Sequence, residues 1–231
     1  MRRFAISDIH GCRRTFQSLL DQIGLSKADT LYLLGDYIDR GPDSKGVIDL
    51  ILQLRSEGHS VICLRGNHEQ MLLNALSKHG LEELQLWLNA GGAETVDSFH
   101  DELQTDTFLP RPYLAFIRQL DYYSLSDDYW LVHAGFNFKK NNPLEDTESM
   151  LWIRNWYAQL KPSLLNGAVV VHGHTPTPRH LIETQLEGLH ELPVLNIDCG
   201  CVYKDRMPGI GFLCAFDLDN RRLFFEENVE R

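Results

Sequence analysis

The chain contains no Gly-Lys pair and no histidine followed by cysteine, and no stretch of it approaches the roughly 20 apolar residues that span a bilayer. The first absence removes the P-loop nucleotidases, whose lysine follows a glycine-rich phosphate cradle. The second removes the usual opening of a covalent cysteine phosphatase loop, and the third a membrane-spanning helix. The only Asp-x-Asp, Asp217 to Asp219, lies far along the chain beside a turn rather than near its start, which argues against a haloacid-dehalogenase-type phosphatase. Positive charge is also scarce. Lys and Arg number 22 against 32 Asp and Glu, a net of −10. Such a balance repels polyanions, so nucleic acid and anionic membranes are not expected partners. A small phosphorylated substrate stays compatible, because cations and a few arginines can reverse the sign inside a cleft. Cysteines number five, an odd count with no paired framework, and Cys199-x-Cys201 has no second pair to complete a zinc site. Reduced thiols and a cytoplasmic location are expected. The opening "MRRFAISDIHG" turns polar after a short apolar run and reads as neither signal peptide nor anchor.

What is present is alternation. "RRFAIS", "TLYLLG" and "SVICLRG" read as strands, with amphipathic helices from about Thr15 to Ile23 and Ser44 to Glu57 between them. Helical periods follow across "EQMLLNAL", "LEELQLWLNA", "GGAETVDSF" and "RPYLAFIRQL". A β-α-β-α-β opening predicts parallel strands covered by helices. "YYSL" and "YWLVHAG" flank a tight polar turn and predict a hairpin. The last third adds "GAVVVHG", "VLNIDCG", "IGFLCAFDL" and "RRLFFEE", the final two joined through Asp219-Asn220. No repeat or linker divides the chain, so one α/β domain over residues 1–231 is expected.

The polar residues fall at the ends of these apolar runs. Asp8 and His10 follow the first, Asp36 the second, Asn67 and His68 the third, His133 ends "YWLVH", and His172 and His174 close "VVVHGH". Ligands of open α/β sheets gather at that edge. Imidazole, carboxylate and amide donors without thiolate suit catalytic manganese, iron or zinc. They are too many for one ion with an open position, and suit two ions sharing a carboxylate. Asp8, His10 and Asp36 would hold the first. Asp36, Asn67, His133 and one of His172 and His174 would hold the second; their spacing of two does not separate that pair.

In order, "SDIHG", "GDYIDRG", "RGNHE", "HAG" and "GHTP" resemble the phosphoprotein phosphatase family of the calcineurin-like metallophosphoesterases, and most of all its short bacterial and phage serine/threonine enzymes. The resemblance runs from Asp8 to about Tyr203. It implies a β-sandwich of mixed sheets flanked by helices, and two divalent metals, manganese first, with iron or zinc as alternatives. It also implies His174 as the ligand, with His172 behind it. His68 would be the general acid, oriented by Asp39, and Arg40 and Arg154 would bind phosphate. Arg65 would be structural, paired with a carboxylate. The remaining histidines, at 59, 79, 100, 180 and 190, read as surface residues. Hydrolysis of phosphoserine and phosphothreonine, with phosphotyrosine open, is the expected activity. The alternative is a symmetrical diadenosine tetraphosphate hydrolase or a small-molecule phosphatase on the same site. Intact "DRG" and "GNHE" segments favour the phosphomonoester reading.

Overall fold

The structure is a computed structural model, which describes residues 1–77, 81–100 and 108–230; His79 lies outside them. Strands β1 (Arg3–Ile6), β2 (Thr30–Leu33) and β3 (Ser60–Cys63) pair in parallel. β8 (Phe212–Asp217) and β9 (Arg222–Glu227) complete a five-stranded sheet in the order β3-β2-β1-β8-β9. β4 (Tyr123–Leu125), β5 (Tyr129–Val132), β6 (Val169–His172) and β7 (Val194–Asn196) form a second sheet in sequence order. β4 and β5 are the expected hairpin, and β5, β6 and β7 are parallel.

Strand side chains alternate between faces, and that alternation builds three layers of core. Phe4, Ile6, Leu31, Leu33, Leu213 and Ala215 face one way, into a core completed by helix residues such as Phe16, Leu19, Val47 and Ile51. Their neighbours Ala5, Cys214 and Phe216 face the other way and meet Tyr129, Leu131, Val169, Val171 and Leu195 of the second sheet. Val132, Val170 and Val194, on that sheet's far side, pack with Phe136, Phe138 and Trp156. The result is a β-sandwich covered by helices, as the resemblance implies.

On the first sheet, α1 (Arg13–Ile23) and α2 (Ser44–Ser56) form where predicted. α1 ends on left-handed Gly24, and α2 begins at Asp43, whose side chain accepts the Gly46 N–H, a standard helix cap. α3 (Asn67–Ala75), α4 (Leu81–Trp87), α5 (Ala93–Ser98) and α6 (Arg111–Arg118) follow. Wider π-type turns over Leu88–Gly92 join α4 to α5, with Gly91 at φ 113°. Three further short helices carried no clear sequence period: α7 (Thr147–Trp152), α8 (Pro162–Leu165) and α9 (Arg179–Glu187). The β8–β9 turn is organised by Asp217, which accepts the N–H groups of Asp219 and Asn220. Turn chemistry thus accounts for the lone Asp-x-Asp. All five cysteines are free and buried.

Candidate metal centre

Each strand of this edge runs into a loop that delivers one or two polar side chains. Asp8, His10, Asp36, Asp39, Arg40 and His174 all have φ between 46° and 73°. That left-handed region is uncommon for residues with a side chain, although Asp and His enter it more readily than most. Strained backbone of this kind persists only where surrounding contacts enforce it. Here they do. The His10 and Gly11 N–H groups bond the Asp36 and Tyr37 carbonyls, so the first two loops are zipped together. Glu69 ties in the third: its carboxylate accepts the N–H groups of Asp36 (2.9 Å), Tyr37 (2.8 Å) and Gly66 (2.9 Å). Gly35 has φ 98°, and a Cβ there would collide with the Gly66 backbone.

Two groups of buried donors converge, His10 with Asp36 and His68, and Asp36 with His133 and His174. Asp36 belongs to both. Its Oδ2 lies 3.4 Å from His10 Nε2 and 3.6 Å from His133 Nε2. The tautomers follow from the outer hydrogen bonds. His133 Nδ1 donates to the Leu34 carbonyl and His10 Nδ1 to the Ile38 carbonyl, each at 2.9 Å. Both Nε2 atoms therefore present lone pairs inward, the arrangement seen in metal-ligating histidines. Asn67 Oδ1 lies 2.8 Å from both His133 Nε2 and His174 Nδ1. Carbonyl oxygen facing an imidazole lone pair is repulsive unless a cation joins them. His174 Nε2 is buried without a partner among the described residues. This donor set fits divalent cations.

Asp8 reaches the same edge, but its Oδ2 is taken by the His174 N–H at 3.0 Å and by the Ser7 hydroxyl. It therefore stands beside the two tight groups rather than within them. His68, which the sequence reading kept apart from the metals, stands inside the first group. His172 points elsewhere: its Nδ1 donates to its neighbour's carbonyl at Gly173, and its Nε2 accepts the Tyr157 hydroxyl at 2.7 Å. Burial lowers its pKa to about 4, which keeps it neutral.

His68 Nδ1 is 2.7 Å from Asp39 Oδ2. Asp39 also accepts the Thr95 hydroxyl at 2.6 Å and the Trp87 indole N–H at 2.9 Å. Burial pushes the Asp39 carboxyl up to about 7, against the downward pull of Thr95 and Trp87. Burial, with the nearby Arg40 charge, holds His68 well below its ordinary value. Arg40 donates to His10 Nε2 at 2.7 Å and lies over the Tyr203 ring. Arg154 donates to the His174 carbonyl and the Thr175 hydroxyl. The two arginines thus touch the residues of the two donor groups separately. Arg65 makes no carboxylate pair among the described residues. Its guanidinium bonds Gln70, the Tyr122 hydroxyl and the Arg118 carbonyl, and its N–H bonds the Asp121 backbone carbonyl rather than that residue's carboxylate.

Sequence reasoning gave no role to Glu69, Trp87, Thr95 or Asp198. Asp198 is buried two residues past β7, and desolvation with the Asp8 charge drives its pKa well above the ordinary range. Asp36 is raised for the same reasons, by burial first and then by Asp8 and Glu69. Several carboxylates in one dry site need positive charge for compensation. Asp198 was detectable, since it follows an apolar run like the others. Trp87 and Thr95 arrive from helices distant in sequence and carry no such mark.

A family model described as calcineurin-like phosphoesterase matches residues 1–199. Among curated proteins, a symmetrical bis(5'-nucleosyl)-tetraphosphatase of Nitrosomonas europaea is 33% identical over 141 residues, 58% of this chain and 45% of that protein. The match therefore spans less than half the length of that relative. A metallophosphoesterase structure from Sphaerobacter thermophilus aligns over 100% of this chain and 89% of its own, with TM-score 0.59 and 20% identity. A serine/threonine phosphatase structure from Saccharomyces cerevisiae aligns over 100% and 81%, with TM-score 0.64 and 14% identity. These two likenesses concern the fold alone.

Proposed function

The chain belongs to the calcineurin-like phosphoesterase family, and from that premise we propose that it hydrolyses the phosphate chain of dinucleoside polyphosphates, diadenosine tetraphosphate first among them. The chemistry rests on one observation: the inward lone pairs of His10, His133 and Asn67 meet around Asp36, with an arginine at each donor group. The choice of substrate is supported by the curated relatives, which are named for that reaction. This reverses the preference drawn from the intact "DRG" and "GNHE" segments. Those segments equip a phosphate site and do not discriminate what is attached to the phosphate.

Asp36, His10, His133, Asn67 and His174 would hold two divalent cations, with Asp8 completing the first site. Bound there, such ions supply Lewis acidity toward phosphate oxygen and lower the pKa of water. Arg40 and Arg154 bind non-bridging phosphate oxygens through their planar forks. A water that has given up one proton to solvent attacks phosphorus, the bond to the departing phosphate oxygen breaks, and protonated His68 passes that oxygen its Nε2 proton. Asp39 accepts the Nδ1–H of His68 and stabilises its protonated form, while Thr95 and Trp87 hold the carboxylate in place.

The second reading, hydrolysis of phosphoserine or phosphothreonine, uses the same residues, and the resemblance of "GDYIDRG" and "RGNHE" to serine/threonine phosphatase motifs is what keeps it in view. Product analysis separates the two. With Mn(II) added, diadenosine tetraphosphate should yield ADP alone. ATP with AMP would refute a symmetrical cut, and phosphopeptide turnover without dinucleotide cleavage would establish the second reading.

A further inference from the structure

A cavity of about 430 Å³ opens beside the metal centre, reaching from Arg154 along Thr175 and Thr177 to Leu181, Gln185 and Asn196. It begins at the residue after His174, and Arg154 Nη1 bonds both His174 and Thr175. A phosphate held by Arg154 therefore carries its substituent directly to the cavity mouth. The volume lies in the range of small-molecule sites.

The lining is unusual for a chain with an excess of ten negative charges: none of its twelve residues is acidic. Arg154 is its one permanent charge. His172 sits in the wall as a neutral ring, fixed by the Tyr157 hydroxyl. The polar remainder is amide and hydroxyl, and it is held in order. Asn196, 1% exposed, donates to the Thr175 carbonyl and the Thr177 hydroxyl. Gln185 Oε1 accepts the Asn196 N–H at 2.9 Å, while its amide nitrogen has no protein partner among the described residues. Ile153, Trp156 and Leu181 supply apolar surface. Fixed amides, apolar walls and no carboxylate suit a neutral, flat, hydrogen-bonding ring system next to an anion.

We infer that this cavity receives one nucleoside of the substrate, a purine whose edge meets the Gln185 amide while its phosphates extend past Arg154 to the metal centre. Amide side chains pair well with the donor and acceptor edge of adenine. The inference rests on the dinucleotide reading and names which part of that substrate goes where.

Two variants test it. Leu181, 45% exposed at the start of α9, becomes Trp and fills the cavity. Gln185→Glu keeps the acceptor for Asn196 and replaces the free amide nitrogen with anionic oxygen. Each variant is compared with wild type for kcat/KM on diadenosine tetraphosphate and on p-nitrophenyl phosphate, which lacks a nucleoside. ADP and inorganic phosphate are measured as inhibitors of the second reaction, whose turnover also reports folding. The dinucleotide-to-aryl ratio should fall at least tenfold in both variants, and ADP should lose its advantage over phosphate. An unchanged ratio in a wild type that cleaves the dinucleotide overturns the cavity and leaves the dinucleotide reading standing. A wild type that ignores the dinucleotide yet binds ADP more tightly than phosphate, sensitively to Leu181→Trp, overturns the reading and keeps the nucleoside site. Without that ADP preference, both fall.

Discussion

Asp39→Asn preserves shape while changing one atom from acceptor to donor, which makes it the sharpest probe of the proton-transfer assembly. In the wild type every neighbour of this carboxylate donates to it: His68 at 2.7 Å, Thr95 at 2.6 Å and Trp87 at 2.9 Å. An amide must turn its NH2 toward one of these donors. If it faces His68, the imidazole loses the anion that stabilises its charged form. A charge-assisted hydrogen bond to a buried partner contributes about 1.5–3 kcal/mol. At about 1.4 kcal/mol per factor of ten, the rate should fall roughly 10- to 150-fold. The loss should appear in kcat, because the bond matters most when His68 carries the proton. The assay is a series of phenyl phosphates of graded leaving-group pKa, in which the deficit should grow as the leaving group becomes more basic. The double variant with His68→Asn should be no slower than His68→Asn alone, since Asp39 acts through that ring. A wild-type rate across the series, or additive losses in the double variant, would refute the assignment.

The other predictions address metal, phosphate and stability. Asp36→Asn removes the carboxylate common to both donor groups, and should lower metal content and, by at least about a hundredfold, the rate; elemental analysis alongside turnover decides it. Arg154→Ala should cost about 1.5–3 kcal/mol in kcat/KM for diadenosine tetraphosphate; unchanged steady-state kinetics would contradict its role. Asp29, 3% exposed and bonded by Arg2 at 2.7 Å, is held well below the usual carboxylate range, first by that hydrogen bond. A depressed folded value stabilises the protein above the unfolded value near about 4 and is lost as pH falls toward the folded one. Asp29→Asn should therefore melt lower than wild type at neutral pH, and the gap should begin to close below about pH 4.

The strand ends were legible because a carboxylate, imidazole or amide closing an apolar run has no role in a core. That single rule located Asp8, His10, Asp36, Asn67, His133 and the His172–His174 pair, and the structure brings them to one edge. It was silent on how the pair divides. His174 turns to Asn67 and His133 while His172 turns to Tyr157, a difference fixed by left-handed backbone at His174 rather than by spacing. Trp87 and Thr95 were not legible, because a helical tryptophan and threonine read as core whether or not they support a carboxylate. The second sheet was harder than the first. β1 to β3 are separated by helices of 11 and 13 residues, long enough to show their period, whereas β5, β6 and β7 are linked by turns and helices of 6, 4 and 9 residues. Arg65 was misplaced for a related reason: its partners Tyr122 and Arg118 arrive from α6 and the approach to β4, which local sequence does not pair with it.

The dinuclear centre is the claim on which the rest depends, and a Mn(II) titration of metal-stripped protein tests it directly, with bound ion per chain and phosphoester hydrolysis followed in the same samples. Two ions should bind, both affinities should weaken in Asp36→Asn, and hydrolysis should rise with occupancy of the second site. Full activity with one ion bound or none, or two ions held undiminished by Asp36→Asn, would contradict the account.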